Sequence, residues 1–446
     1  MGNSNRLTMV LAAPVLLAVA QQQLLLRLPP RLDRLEPAEA SAGPAALRAR
    51  FSRPMDLDSL GRQAGLDPPL PHRWLGKGDT VVLSLDEGPR VRQPLTLDLA
   101  GRDRRGVALP PGRWRWDPRP RVLAVVPVEG GEQLQVREHD GRWRPLSPVW
   151  PAIPLVEPLG DGSGVGVVSG GEEGAQRAWR IPLRQRNLVP AGVALTATSA
   201  APPQPLGGPA QVFVHLSGNR RGELLEQSGG TTPGSLATRL WPPAGRPRRL
   251  ELEASGPMRL LPGGGAVVVP GLDGLSLHHL PPRPPRRETL PGSRDLSSFC
   301  PRAGRALLVR HWPDYRRSLE LVEPGQAPRQ LWIGPQALVA SACAGGGERI
   351  WALLLEGVGR PELTLLALDR SGRVLGSRRL DGWELEPGTG LHHDPATDRL
   401  LAALRPVAPP GRPPAPARPV LIDAKELTPS APLALTVRQV LWLPPG

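Results

Sequence analysis

The sequence predicts an all-β protein built from many short strands. Pro 58 and Gly 51 together make up about a quarter of the 446 residues, which leaves little room for helices. Hydrophobic residues are 40% of the chain and recur as short β-branched or leucine runs between turn signals, a pattern a disordered chain lacks. The length suits one large β domain plus a smaller one. In order, the chain divides into an N-terminal signal peptide or membrane anchor (1–28), a linker (29–44), a small β-sandwich (45–118) and a β-propeller of about seven blades (119–446).

The first element is a targeting segment. Arg6 supplies a thin positive region, residues 7–20 are apolar, and Ala18-Val19-Ala20 before Gln21 has the small-x-small form of a signal-peptidase site. A second apolar patch, 24–26, lengthens the segment toward a spanning helix if Gln21, Gln22 and Gln23 are tolerated in lipid, so a cleaved signal and an uncleaved anchor both stay open. No Cys lies near Ala20, which excludes a lipoprotein signal. The mature chain is therefore expected outside the cytoplasm, either periplasmic or anchored to the membrane. Residues 29–44, rich in Pro, Ala, Glu and Arg, read as a spacer.

In the next element, Leu47-Arg48-Ala49-Arg50-Phe51 alternates apolar and charged residues, a period of two that turns one face inward. Ser52-Arg53-Pro54-Met55-Asp56 then turns the chain, and Trp74-Leu75-Gly76-Lys77-Gly78-Asp79 reads as a hairpin tip before the strand Thr80-Val81-Val82-Leu83-Ser84-Leu85. Leu95-Thr96-Leu97-Asp98-Leu99 alternates again and runs into a turn ending at Gly106. These residues resemble bacterial immunoglobulin-like (Ig-like) domains of the S-layer-associated SbsA type. Phe51-Ser52-Arg53-Pro54-Met55-Asp56 matches the family's Phe-Ser-x-Pro-Met-Asp element in full, Trp74-Leu75-Gly76 its Trp-x-Gly hairpin, and the stretch with Asp103 and Gly106 roughly its Ala-x-Asp-x-x-Gly close. The resemblance covers about seventy residues. It implies structural roles only, with Phe51 and Met55 in the core and Asp56 capping the turn, in a module that serves exported proteins as a spacer or adhesive unit.

The last element repeats. Apolar runs start near 122, 165, 212, 266, 306, 350 and 400, and alternating strands such as 275–280, 318–322 and 363–369 follow them. Three or four short antiparallel strands per period of 40 to 54 residues is the signature of a propeller blade. The hairpin Asp394-Pro395-Ala396-Thr397-Asp398-Arg399-Leu400-Leu401 resembles the first turn of a blade in lactonase-like and NHL-like propellers. Gly-His and Trp-Asp signatures of WD40 arrays are missing at blade positions. Seven units fit, six or eight remain open, and an irregular pair of β-sandwiches is the alternative. Proline-rich stretches at 201–205, 281–285 and 409–419 read as inter-strand loops.

Chemistry is sparse. The net charge of +14 comes almost wholly from arginine, since Lys77 and Lys425 are the only lysines. The arginines are spread along the chain without blocks or interleaved aromatics, so nucleic acid is not the expected partner. Gly160-Asp161-Gly162-Ser163-Gly164 is not a nucleophile elbow, and dinucleotide and Walker motifs are missing, so no cofactor is expected. His278, His279, His392 and His393, with Asp394 and Asp398, have metal-ligating chemistry, but adjacent strand residues point to opposite faces and each pair offers one ligand at most. They are read as loop histidines, not as a metal site. Cys300 and Cys343 are an even pair that an exported protein is expected to join. Equivalent residues of neighbouring blades sit roughly 10 Å apart and a bridge needs about 7 Å, so bonding requires both to lie near the axis, and either state stays open. Two function classes follow. The favoured one is an exported, non-catalytic binding or scaffold protein with a protein or cell-envelope partner, held to the membrane by the N-terminal segment if that is uncleaved. The alternative is a lactonase-like or quinoprotein-type propeller enzyme with a channel site. A ring of Asp, Glu, Asn or His at equivalent blade positions would mark the enzyme. The residues just before the apolar runs are mostly Leu, Pro, Gly, Cys or Ala, so no such ring is expected and no catalytic residue is assigned.

Overall fold

The computed structural model describes residues 28–445 apart from 39, 41–42, 172–173, 233, 302–303, 358–360 and 410. The targeting segment therefore lies outside the described residues. The chain forms two units, the first holding residues up to Pro89, Pro94–Trp116 and Leu188–Ala194, the second Arg90–Gln93, Asp117–Asn187 and Leu195–Gly446.

The first unit has two four-stranded antiparallel sheets. One runs Leu32–Ala38, Ala46–Phe51, Thr80–Leu85, His72–Lys77, and the other Leu188–Pro190, Gly112–Trp116, Leu95–Leu99, Gly65–Asp67. The period of two is visible in burial: Leu47, Ala49 and Phe51 are buried while Arg48 and Arg50 are exposed, and Leu95, Leu97 and Leu99 are buried in the second sheet. Three features differ from the sequence reading. The supposed spacer 29–44 contains the strand Leu32–Ala38, paired with Ala46–Phe51; its charges and Pro37 suit an edge strand, which is why it reads as a linker. A helix, Leu57–Gln63, follows the Phe51–Asp56 motif, capped by the Asp56 side chain accepting from the Asp58 N–H and seated by the buried Leu60. The unit also draws a strand from far along the chain, Leu188 pairing with Trp116, a non-local contact that local patterning does not reveal.

The second unit contains seven antiparallel sheets, taken one after another along the chain, in the arrangement of a β-propeller. In the first, Gln439–Leu443 pairs with Arg121–Val128, followed by Gly131–Arg137 and Trp143–Pro145. The inner strands of the next five are Ala152–Pro158, Phe213–Gly218, Arg259–Leu260, Arg294–Phe299 and Ala337–Ala344. The seventh has an interrupted inner edge, Trp383–Leu385 and His392–Asp394, both paired with Arg399–Pro406. Since Gln439–Leu443 comes from the C-terminal end and completes the blade begun at Arg121, the last residues close the ring.

Buried clusters lie between blades. Leu123, Val125, Val165 and Val167 join blades one and two, Leu307, Leu319, Ile350 and Ala352 join five and six, and Val122, Ala124, Leu401 and Val440 join seven and one. Side chains also satisfy inner-strand N–H groups of the next blade, which would otherwise be unpaired edge donors. Glu132 accepts from the Ile153 N–H at 2.6 Å, Gln176 from Val214 at 2.8 Å, Gln227 from Met258 at 3.1 Å and Ser217 from Leu260 at 3.0 Å. The apolar runs at 122, 165, 266, 306, 350 and 400 are all second strands of their blades. The run at 212 is the exception, being the first strand of its blade. The true second strand, Leu224–Gly229, carries the buried Glu226, Gln227 and Ser228 and so does not read as apolar.

Candidate functional site

Inner strands of three successive blades bring polar side chains together on the channel side. Glu157 is next to last in the inner strand of blade two, His215 lies in that of blade three, and Arg259 opens that of blade four. Glu157 accepts the Gly218 N–H at 2.9 Å and faces Arg259 at 3.6 Å, keeping about a fifth of its side chain exposed against two fifths for Arg259. Burial raises the Glu157 carboxyl, against the pull of Arg259 and the Gly218 N–H. Burial pushes the His215 imidazole down to about 4, with the Arg259 charge acting the same way, and its Nε2 is buried without a hydrogen-bond partner. The cluster therefore offers one guanidinium, one neutral imidazole and a carboxyl whose proton affinity burial raises. Such a set suits recognition of a polar ligand, or proton exchange with one. The sequence comparison that expects no polar ring looked ahead of the second strands, whereas these three groups come from the first strands.

The structure joins Cys300 and Cys343, with a Cα–Cα distance of 4.9 Å, at the inner edges of blades five and six. Two residues earlier on each side, Ser298 Oγ and Ser341 Oγ are 2.9 Å apart. Ser298-Phe299-Cys300 and Ser341-Ala342-Cys343 share one spacing, a signal by which the sequence could have placed both segments at equivalent positions. The histidines are scattered. His278 bonds Ser276 Oγ at 3.0 Å, and His279 stands 3.9 Å from Glu288. His392 is held to about 4 by burial alone. His393 bonds Asp398 at 3.1 Å and stacks on Trp351, instead of being a solvated loop residue. Burial opposes the Asp398 charge, yet His393 and a two-pronged Arg349 hold the carboxyl far below its usual range. Asp394 closes its turn by accepting the Ala396 and Thr397 N–H groups. Among the described residues no group of three or more His, Cys, Asp and Glu is placed to hold a metal ion.

The residues that carry the Ig-like resemblance take structural places in the first unit. Phe51 and Met55 are 1% exposed, and Trp74 is buried. Ser52 Oγ accepts the Arg31 N–H, and the Pro54 carbonyl accepts the Arg104 N–H. Asp103 Oδ1 accepts the Arg105 and Val107 N–H groups in the turn where Gly106 has a φ of 84°. Gly76, at φ 127°, leaves room for the Thr80 carbonyl, which an added Cβ would meet at 2.9 Å.

No family model matches the chain, and no curated protein is detectably similar to it. Solved structures are similar in fold at low identity. AztD from Citrobacter koseri is 12% identical over 74% of this chain and all of its own, with a TM-score of 0.46. A putative 6-phosphogluconolactonase from Bacteroides fragilis is 13% identical over 73% and 98%, with a TM-score of 0.43. TolB from Acinetobacter baumannii is 12% identical over 64% and 76%, with a TM-score of 0.38. The blades and their closure define the propeller independently of these likenesses.

His215 and His392 are both held neutral by burial, which makes stability depend on pH. An unfolded histidine titrates near 6.5 and these two near 4, so the unfolded chain binds more protons between those values and stability falls as pH drops through that window. The raised Glu157 works in the opposite sense, weakening the fold as pH rises past its ordinary value. Each histidine contributes up to about 3 kcal/mol. Urea unfolding at about pH 7 and about pH 4.5 is expected to give a clear loss at the lower value, and H215Q/H392Q to flatten it.

Proposed function

We propose that the chain is an exported, non-catalytic binding protein in which a β-propeller is presented beyond an Ig-like spacer and engages a protein or cell-envelope partner. The observation that carries this reading is the Cys300–Cys343 bond between neighbouring inner strands, because such bonds persist in oxidising compartments outside the cytoplasm. The apolar segment 7–20 with its Ala18-Val19-Ala20 site supports the same compartment. Residues 1–40 fused to a reporter that is active only after export are expected to give an active reporter; activity confined to the cytoplasmic form of the fusion would reject export.

The channel cluster favours a second reading, a propeller enzyme in which Glu157 gives or takes a proton beside Arg259. The two readings separate at one variant. If the channel only holds the blades together, E157Q lowers the melting temperature and leaves binding to the partner intact.

A further inference from the structure

Just beyond the strands that hold His215 and Arg259, three turns of blades three and four lie side by side, tied by backbone hydrogen bonds. The turn 219–223 is joined to 261–265 through the Arg220 N–H and the Pro262 carbonyl, at 2.8 Å, and 261–265 to 280–286 through the Leu280 N–H and the Gly265 carbonyl, at 3.0 Å. The middle turn is Gly263-Gly264-Gly265, in which Gly264 and Gly265 have φ of 72° and 75°. A Cβ on Gly264 would meet Arg221 Cδ and Glu223 Oε2, each at 3.1 Å, and one on Gly265 would meet the Arg283 guanidinium carbon at 3.2 Å. Gly263 faces open space. Two arginines from two blades are thus laid against neighbouring positions of one glycine turn, an approach any side chain there would obstruct.

Both arginines are exposed, and among the described residues neither has a carboxylate within ion-pair distance. The acids nearby are otherwise engaged. Glu223 accepts from Asn219 Nδ2 at 2.6 Å, and Asp161 accepts from the Ser163 hydroxyl and N–H. Arg180 reaches into the same group of turns, donating to the Gly222 and Pro242 carbonyls. Arg246 adds a further exposed guanidinium on the neighbouring turn of blade three. Positive charge therefore outweighs negative across these turns. Arginine forks match the paired oxygens of phosphate geometrically, and two forks from the turns on either side of the glycines match a doubly charged group better than a single carboxylate.

We propose that Arg221 and Arg283, set across the Gly263-Gly264-Gly265 turn, form a binding site for a phosphate-type oxyanion. The site uses none of Glu157, His215 and Arg259 and does not depend on the reading of that cluster. Either a free polyphosphate or the headgroup of an anionic phospholipid presents this chemistry.

The test uses the full chain with pyrophosphate, followed by isothermal titration calorimetry, and with vesicles of phosphatidylglycerol or of phosphatidylcholine. Pyrophosphate is expected to bind, more weakly as salt rises. R221Q/R283Q is expected to lose about tenfold in affinity per guanidinium, with an unchanged melting temperature because both side chains are exposed. R373Q, which alters an exposed arginine on blade six, serves as the control and is expected to bind as the parent does. Retention on phosphatidylglycerol vesicles that pyrophosphate displaces identifies the headgroup as the source, and pyrophosphate binding without retention identifies a free oxyanion. If pyrophosphate and vesicles both fail to bind, or if R221Q/R283Q binds as tightly as R373Q, the site is refuted.

Discussion

A chain ending at Arg438 is expected to lose cooperative unfolding altogether. The strand removed, Gln439–Leu443, pairs residue by residue with Arg121–Val125 and buries Val440 and Leu443 completely. It also ties blade one to blade seven, with Trp442 Nε1 donating to the His392 carbonyl at 3.1 Å, and to blade two, where Gln185 donates to the Pro444 carbonyl at 2.9 Å. Each buried aliphatic side chain is worth about 1.5–3 kcal/mol, and Val122, Leu123, Ala124 and Val125 would be uncovered as well. That loss rivals the whole stability of about 5–15 kcal/mol typical of a folded domain. Thermal melts followed by tryptophan fluorescence should show one sharp transition for the full chain and a broad, early loss of signal for the truncated one. A truncated chain that melts like the full one would mean that closure contributes little.

The second large effect is expected at Arg121. This side chain is 4% exposed and meets Glu138, 6% exposed, at 2.6 Å, while its other nitrogens donate to Gln185 Oε1 and to the Thr196 carbonyl. Glu138 accepts the Thr198 N–H with its second oxygen. R121M strands a buried carboxylate, a change that costs about 3–5 kcal/mol. R121M/E138Q removes the charge yet keeps an acceptor for Thr198, and is expected to regain most of the loss, since neutral replacements of buried pairs are often tolerated. Urea denaturation of the two variants reads the difference. Equal losses in both would show that the charge of Glu138 is not what the fold must neutralise.

Much of the fold was legible because six of the seven second strands are nearly pure apolar runs, buried on both faces between neighbouring blades. Blade three hid its second strand. There Glu226 is 1% exposed but bonded by Trp241 Nε1 at 2.8 Å and Ser228 Oγ at 2.9 Å, and a satisfied buried carboxylate looks in sequence like a surface residue. The closing strand was also hidden, since nothing local in Gln439-Val440-Leu441-Trp442-Leu443 says that its partner lies more than three hundred residues away. The channel groups escaped for a related reason. Glu157 lies in a strand with Pro154 and Pro158 whose register slips between Ala152 and Leu155, and Arg259 begins a strand of two residues, so neither inner strand shows a period of two. Their proximity comes from the ring, which places one residue from each of three blades along the same channel wall.

In the proposed exported propeller, blades five and six are stitched at their inner edges by Cys300 and Cys343. Mass spectrometry of the protein, alkylated without reduction after isolation from its own cell envelope, tests this most directly. A linked pair of peptides containing Cys300 and Cys343, with neither thiol alkylated, is the predicted result. Full alkylation of both cysteines would contradict the compartment, and with it the pairing of these two strands at the channel edge.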